Sequence, residues 1–164
     1  YILELGQSEW IARRQNLLIL VPTGSGKSYL ASALGVAATR NQYTVRYHRV
    51  ARLLHALTLA RQEGTLLNFL RSLAKTKLLI IDDWMRDTIT IQNAQDLLEV
   101  LDDRFGHAAT LISSQVPVAD WHLRIPDPTL ADAILDRIVH TAHRVQLEGE
   151  SQRKLRAKRS MSHS

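Results

Sequence analysis

The run Pro22-Thr23-Gly24-Ser25-Gly26-Lys27-Ser28 constrains this chain more than any other segment, because of what flanks it. Before it stands an apolar stretch, Asn16-Leu17-Leu18-Ile19-Leu20-Val21, that reads as a buried strand. After it, Tyr29-Leu30-Ala31-Ser32-Ala33-Leu34-Gly35 reads as a helix. Strand, glycine-rich turn and helix N-terminus together aim a row of backbone N–H groups and a positive helix end at one anion. The segment is therefore expected to hold the phosphates of a nucleotide. Gly24 and Gly26 let the backbone approach phosphate oxygens at φ values closed to other residues. Lys27 is expected to reach the β- and γ-phosphates, and the Ser28 hydroxyl to ligate Mg²⁺. Pro22, Thr23, Ser25 and Tyr29 complete the nucleotide-binding set. One position departs from the pattern G-x-x-x-x-G-K-[ST]: Val21 stands where the first glycine belongs. A β-branched residue suits a strand that continues at negative φ and would be strained in a turn that needs positive φ, so Val21 bears on turnover more than on binding.

A second strand carries the partner chemistry. Lys77-Leu78-Leu79-Ile80-Ile81 is a short apolar run of the kind buried on both faces of a parallel sheet, and it ends in Asp82-Asp83. Carboxylates at that end face the phosphates. Asp82 is expected to hold Mg²⁺ through water, and Asp83 to orient or deprotonate the attacking water. Asp83 is one methylene shorter than the Glu common at that place, which puts its reach in question. An Asp pair also ends strands and opens turns for purely local reasons, but the phosphate loop upstream supplies the other half of a site.

A chain of 164 residues with 45% apolar content is about one domain with a real core. That domain is assigned residues 1–152, leaving a basic tail over 153–164. Without Cys there is neither a disulfide framework nor a thiolate zinc site, and a reducing cytoplasm is the natural home. No apolar run approaches the ~18–20 residues needed to span a bilayer, and the start lacks the basic-then-apolar order of a signal peptide. The chain begins at Tyr1 rather than Met, as expected of a fragment that lacks an upstream domain. Net charge is +5, and the excess sits in one place. Arg153-Lys154-Leu155-Arg156-Ala157-Lys158-Arg159 holds five basic groups and no acid, leaving sixteen basic against sixteen acidic residues elsewhere. Such a run binds nucleic-acid phosphates in a salt-dependent way, or it is a solvated end running into Ser160–Ser164, for which disorder is the expectation.

Periodicity gives alternating strands and helices. The helix after the loop runs to about Asn41, Tyr43–His48 reads as a strand, and Val50–Glu63 as a helix broken by Gly64. Leu66–Lys75 forms a helix before the Asp82 strand, Gln92–Arg104 another stopped by Gly106, and Thr110–Ser113 the next strand, closed by Pro117. Thr129 is the expected N-cap of a helix through Ile138, and Arg144–Leu147 a last strand. The order implies an α/β fold, a doubly wound parallel sheet of five strands with its ligand at the carboxyl edge.

Other residues carry two readings each. Trp84 and Trp121 either line the nucleotide site and stack on DNA or are packing anchors. Arg46, Arg49, Arg52 and, further on, Arg61 form a basic cluster that faces DNA or plain solvent. Seven His residues are scattered without metal-ligand spacing; His140 and His143, three apart, have no third ligand nearby in sequence.

The loop PTGSGKS, the strand LLIIDDW, the segment TLISSQVPVADWH, the segment DPTLADAILDRIVHTAHRVQLEGES and the basic end together resemble the IstB-type helper ATPases of insertion-sequence transposition. The nearest relatives of that family are the DnaC-type helicase loaders. The resemblance covers nearly the whole chain and implies the AAA+ form of the P-loop NTPase fold, a three-layer sandwich. In that form the first strand lies in the middle of the sheet, and the Ser113–Gln115 strand is inserted between the two active-site strands. It implies ATP as the nucleotide, an ATPase activity that depends on oligomerisation and DNA, and three partners: duplex DNA, a cognate transposase and further copies of the chain. By the same resemblance Gln115, or Ser114 beside it, is the polar sensor of the γ-phosphate and the lytic water. Arg137 in Ile134-Leu135-Asp136-Arg137 is an arginine finger offered to a neighbouring subunit, or pairs locally with Asp136 or Asp132. Arg153, after Gly149-Glu150-Ser151, is a candidate phosphate sensor or simply part of the tail. Loading of a replicative helicase, small-molecule phosphotransfer on the same loop, and a non-hydrolysing nucleotide switch are the competing functions.

Overall fold

Apolar runs with no polar face pair as parallel strands, since only helices on both sides can cover them. Three strands of this kind, β1 Leu17–Leu20, β3 Leu78–Asp82 and β4 Ala109–Ser114, form the middle of a sheet whose edges are the more polar β2 Val45–Arg49 and β5 His143–Gln146. The computed structural model describes residues 2–22, 27–140 and 142–146, with backbone alone at 2, 3, 27 and 28. Its single sheet has the order β2-β3-β4-β1-β5, parallel throughout. β4 lies between β3 and β1, as the family resemblance implies. The central place belongs to β4 and not to β1, because only β5 pairs on the outer side of β1.

Helices cover both faces. On one lie α1 (Ile2–Gly6), α2 (Glu9–Ala12) and α3 (Lys27–Arg40), packed on Leu17, Ile19, Leu78, Ile80 and Leu111. On the other lie α4 (Val50–Glu63), α5 (Leu66–Lys75), α6 (Ile91–Arg104), the short α7 (Val118–Trp121) and α8 (Pro128–Ile138), packed on Leu18, Leu79, Ile81 and Ile112. Period-2 alternation along each strand splits the core into these two layers. β3 and β4 are buried along their whole length, whereas β2 is an edge with three exposed residues. Among the described residues no helix is long and apolar enough to cross a membrane.

The helices match the sequence reading closely at α4 and α5. Gly64 ends α4 at φ 74°, where a Cβ costs about 1–2 kcal/mol, and Thr65 N–H reaches back to the Ala60 carbonyl. The cap of α8 is a correction. Asp127, not Thr129, accepts the Leu130 N–H at 2.9 Å, and Pro128 follows at the first helical position, where its missing N–H costs nothing. The strand boundaries shift by one or two residues: β2 begins at Val45 rather than Tyr43, and β5 spans His143–Gln146. Leu147, the expected end of the last strand, lies outside the described residues. Helices α1, α2 and α7 have no counterpart in the sequence reading; all three are too short for a periodic pattern to register.

Candidate functional site

Alternation fixes which side chains meet at the carboxyl edge. Asp82 lies two residues beyond Ile80, Ser113 two beyond Leu111 and Val21 two beyond Ile19, so all three belong to the face covered by α3. α3 begins at Lys27, which brings Lys27 and Ser28 to that same edge. Val21 continues the strand: it is buried, its N–H donates to the Ser114 carbonyl at 3.0 Å, and it is not among the residues at positive φ. The feared strain at the missing glycine is therefore absent at Val21 itself. Thr23–Gly26 lie outside the described residues, and Pro22 enters the loop exposed.

Asp82 is fully buried, and both oxygens of its carboxylate accept hydrogen bonds. Ser113 Oγ and the Asp83 N–H, the latter at 2.9 Å, donate to Oδ1, and Tyr47 Oη donates to Oδ2. Donors on both oxygens fix the plane of a carboxylate that burial alone would disfavour as an anion. Neither Ser113 nor Tyr47 was singled out by the sequence. Alternation counted from Leu111 would have found Ser113; the pairing of Tyr47 with Ile80 across β2 and β3 is a tertiary fact.

Past Asp82 the chain turns sharply. Asp83 and Met85 both have positive φ, 56° and 55°, a region that Asp tolerates better than most residues. The Trp84 N–H donates to the Ser113 carbonyl at 2.9 Å, and Arg124 holds the Met85 and Arg86 carbonyls. The turn sends Trp84 inward. It is fully buried and meets the equally buried Trp121 edge-on at 6.0 Å, so both tryptophans are packing anchors and neither stacks on a ligand. Asp83 itself lines a small cavity of about 40 Å³ with Trp84, Arg86, Gln115 and Val116. Gln115 also lines a second cavity, of about 240 Å³, with Val21, Pro22 and Arg144. It thus stands between the entry to the phosphate loop and Asp83. Ser114 is buried and committed elsewhere: its hydroxyl donates to the Trp84 carbonyl at 2.6 Å and accepts the Val116 N–H at 3.0 Å. Of the two expected sensor positions, only Gln115 faces the site. Arg144, which the sequence reading passed over as a strand residue, is the basic side chain lining that cavity among the described residues.

Arg137 is not brought to this edge. Its carbonyl accepts from Asn16 Nδ2 at 3.1 Å, and Asn16 also takes the Thr110 N–H, which places both at the amino end of β1 and β4. Six residues of extended chain, roughly 20 Å, separate Asn16 from Pro22. The Arg137 guanidinium lies over the Phe105 ring at 5.5 Å and pairs with Asp102 and, at 3.1 Å, with Asp136. Asp132, the other expected local partner, meets His122 instead. Arg153, Gly149-Glu150-Ser151 and the basic run 153–159 lie outside the described residues.

The arginine cluster is reduced by one. Arg61 pairs with the buried Asp96, to which Gln92 also donates, so it serves the α4–α6 contact. Arg46, Arg49 and Arg52 remain exposed along β2 and the start of α4, with Arg46 donating to Ser72 at 3.0 Å. Burial, and next the neighbouring Arg46 charge, lower the pKa of His48 below its ordinary 6.5. Arg104 is a further arginine, one that no motif or charge cluster marks. Fully buried, it donates to the carbonyls of Leu73, Thr76 and Ala109 and to Thr110 Oγ1, clamping the end of α5 to the start of β4.

The donor set suits Mg²⁺. A single buried carboxylate beside a helix start that carries Ser28 offers hard oxygens, and Mg²⁺ keeps several waters and takes its remaining ligands from phosphates. Among the described residues there is no group of three or more His, Cys, Asp or Glu that would cage a metal with protein ligands alone.

A P-loop edge on a β2-β3-β4-β1-β5 sheet defines the AAA+ P-loop class, and solved structures agree. AMPPCP-bound DnaA from Aquifex aeolicus superposes with a TM-score of 0.78 at 16% identity, over 99% of this chain and 49% of that one. DnaI superposes at 0.75 and 18% identity, over 88% of this chain and 82% of that one. At such identities the likeness is one of fold. Within that class, the model of the IstB-like ATP binding proteins matches residues 1–160, and the chain belongs to that family. The insertion sequence ATP-binding protein y4pL of Sinorhizobium fredii is 49% identical over 152 residues, covering 93% of this chain and 62% of its own length. The ATP-binding protein of insertion sequence IS21 from Pseudomonas aeruginosa is 34% identical over 92% of this chain and 57% of its own. The chain thus spans about three fifths of the length of these curated relatives.

Proposed function

We propose that this chain binds ATP with Mg²⁺, hydrolyses it when copies assemble on duplex DNA, and in that state assists a transposase in DNA transposition. The observation that carries the nucleotide chemistry is the convergence of Asp82, Asp83 and Gln115 on the edge where α3 begins. Lys27 and the loop Pro22–Ser28, with Tyr29 behind it, bind the phosphates; Ser28 and Asp82 hold the metal. When bound, Mg²⁺ neutralises charge on the transferring phosphoryl group. Asp83 and Gln115, which line one small cavity, position the attacking water. The protein mostly positions and neutralises, as phosphoryl transfer requires.

Arg137 acts in trans on this scheme. Its place at the amino end of the sheet keeps it from its own nucleotide, which suits a residue offered to a neighbour. Its ion pairs are part-exposed, at 30% for Arg137 and 47% for Asp102, so releasing them costs only about 0–1 kcal/mol each. Exposed Arg46, Arg49 and Arg52 with the basic run 153–159 are the DNA-binding candidates, and Arg153 a second phosphate sensor. Transposition is favoured over helicase loading because the relatives at 34–49% identity carry insertion-sequence names, whereas DnaI shares the fold at 18%.

The test is steady-state Mg²⁺-ATP hydrolysis against protein concentration, with and without duplex DNA, using Lys27→Ala as the blank. Turnover that climbs steeply with both supports an assembling, DNA-dependent ATPase. Turnover indifferent to both points to a stand-alone phosphotransferase, and tight binding without turnover to a nucleotide switch.

A further inference from the structure

Tyr47 belongs to an edge strand that carries none of the residues that define the nucleotide site, yet its hydroxyl reaches the one buried carboxylate of that site. Three observations bear on why. The residue in register with Asp82 on β2 is Arg49, and Tyr47 pairs with Ile80, so Tyr47, Ile80 and Asp82 share the face under α3. The ring lies along a groove lined by Ser32, Gly35, Val36 and Ile80 and is 42% exposed. Gly35 keeps that groove open: a Cβ there would stand 3.0 Å from Ile80 Cδ1, so α3 passes close over β3 at this point.

We infer that Tyr47 is a positioning residue for the carboxylate that would hold Mg²⁺, its Oη donating to Asp82 Oδ2 and restraining that side chain. The inference rests on the assignment of Asp82 to Mg²⁺ made above. Among the described residues Ser113 and the Asp83 N–H donate to Oδ1 and Tyr47 to Oδ2, so removing the Tyr47 hydroxyl takes a donor from the second oxygen and loosens the rotation of the carboxylate about its Cβ–Cγ bond. Packing alone needs only the ring, and a phenylalanine would fill the groove as well but could make no bond to Asp82. Partners one shell out from a metal commonly change its affinity about 10–100-fold when removed, because they fix the orientation of the ligand. Tyr47 also leads, two residues on, to Arg49 and then directly into α4 with Arg52. The strand that holds the carboxylate in place is therefore the one that carries the exposed arginines.

The test uses Tyr47→Phe, which keeps the ring and removes only the oxygen. A fluorescent ATP analogue is bound first in EDTA and then across a Mg²⁺ titration, with Asp82→Asn as the control and thermal melts of every variant. Binding in EDTA should match wild type, with the melting temperature lowered only modestly by the loss of one donor to a buried carboxylate, while the Mg²⁺ midpoint rises about 10-fold or more. An unchanged midpoint overturns the inference, as does a loss of binding equal in EDTA and in Mg²⁺, which would make Tyr47 a packing residue. Ser113→Ala should shift the midpoint in the same direction, and Tyr47→Phe with Ser113→Ala further than either. If the wild-type protein itself shows no Mg²⁺ dependence, or Asp82→Asn leaves it intact, the metal assignment of Asp82 is what fails, and the role of Tyr47 falls with it.

Discussion

Arg104→Met tests whether the amino end of β4 is held by a buried cation. The substitution keeps a long unbranched stem and strips the guanidinium from four acceptors, the carbonyls of Leu73, Thr76 and Ala109 and the Thr110 hydroxyl oxygen. A buried acceptor left without a donor costs about 1–3 kcal/mol. Against that stands relief of the desolvated charge. Burial lowers the pKa of Arg104 from its ordinary value to about 10, which corresponds to about 3 kcal/mol held against the cation. With partial relaxation of the acceptors the net loss is about 4 kcal/mol, a large share of the ~5–15 kcal/mol that stabilises a typical domain. Urea unfolding followed by circular dichroism reads it as a lower midpoint at unchanged slope. Arg104→Lys should recover part of the loss, since an ammonium keeps three donors without the planar fork. The sign in pH follows from the lowered pKa. From about 10 up to the ordinary guanidinium range the unfolded chain holds a proton that the folded chain gives up, so this contribution to stability rises with pH only in that window. Near neutrality both states are charged, and the loss on substitution should not vary with pH. A loss under about 1 kcal/mol at neutral pH would show that the four acceptors find other donors, and the clamp would be refuted.

The remaining expectations concern the site and its surroundings. Lys27→Ala should abolish nucleotide binding or nearly so, whereas Asp83→Ala should bind as wild type and lose turnover by about 10²-fold or more; equal loss of binding in both, by titration of a fluorescent nucleotide, would undo the division of roles. Arg137→Ala should lose about 10³-fold in assembled turnover, and mixing it with Asp83→Ala should restore part of the activity, because each supplies the half-site the other lacks. Complete absence of rescue would assign Arg137 to its local contacts with Asp102, Asp136 and Phe105. His48 has a lowered pKa, so its neutral form favours the folded state; the stability it contributes is present above 6.5 and is lost as pH falls below that value. His48→Gln should therefore flatten the fall in melting temperature on acidification below 6.5, and an unaltered slope would count against it.

Much of the site was legible because its physics is local. A glycine-rich turn between an apolar run and a helix, and a carboxylate pair ending a second apolar run, are determined by chemistry within a few residues, and Lys27, Ser28, Asp82 and Asp83 come to one edge as the spacing implied. The Val50–Glu63 and Leu66–Lys75 helices were legible for the same reason, with Gly64 between them at a φ that suits glycine. The cap of α8 was misplaced because Asp127 and Thr129 are both good capping residues. Which one serves depends on where Pro128 sets the first turn.

What the sequence by itself determined about this protein is which segments meet at the carboxyl edge of the sheet, its class of fold and its membership of a family. Those follow from short patterns whose backbone geometry has few alternatives. Only the tertiary structure decided which neighbours complete that edge. Strand order and register placed Tyr47 beside Asp82, chose Ser113 over Ser114 as its other side-chain partner, set Gln115 between Pro22 and Asp83, and brought Arg104 to the distant carbonyls of Leu73 and Thr76. They also carried Arg137 to the opposite end of the sheet. Such pairings join residues from about 30 to more than 100 positions apart in the chain. They are set by how two cores pack against one sheet, a sum over many weak contacts that no local pattern contains.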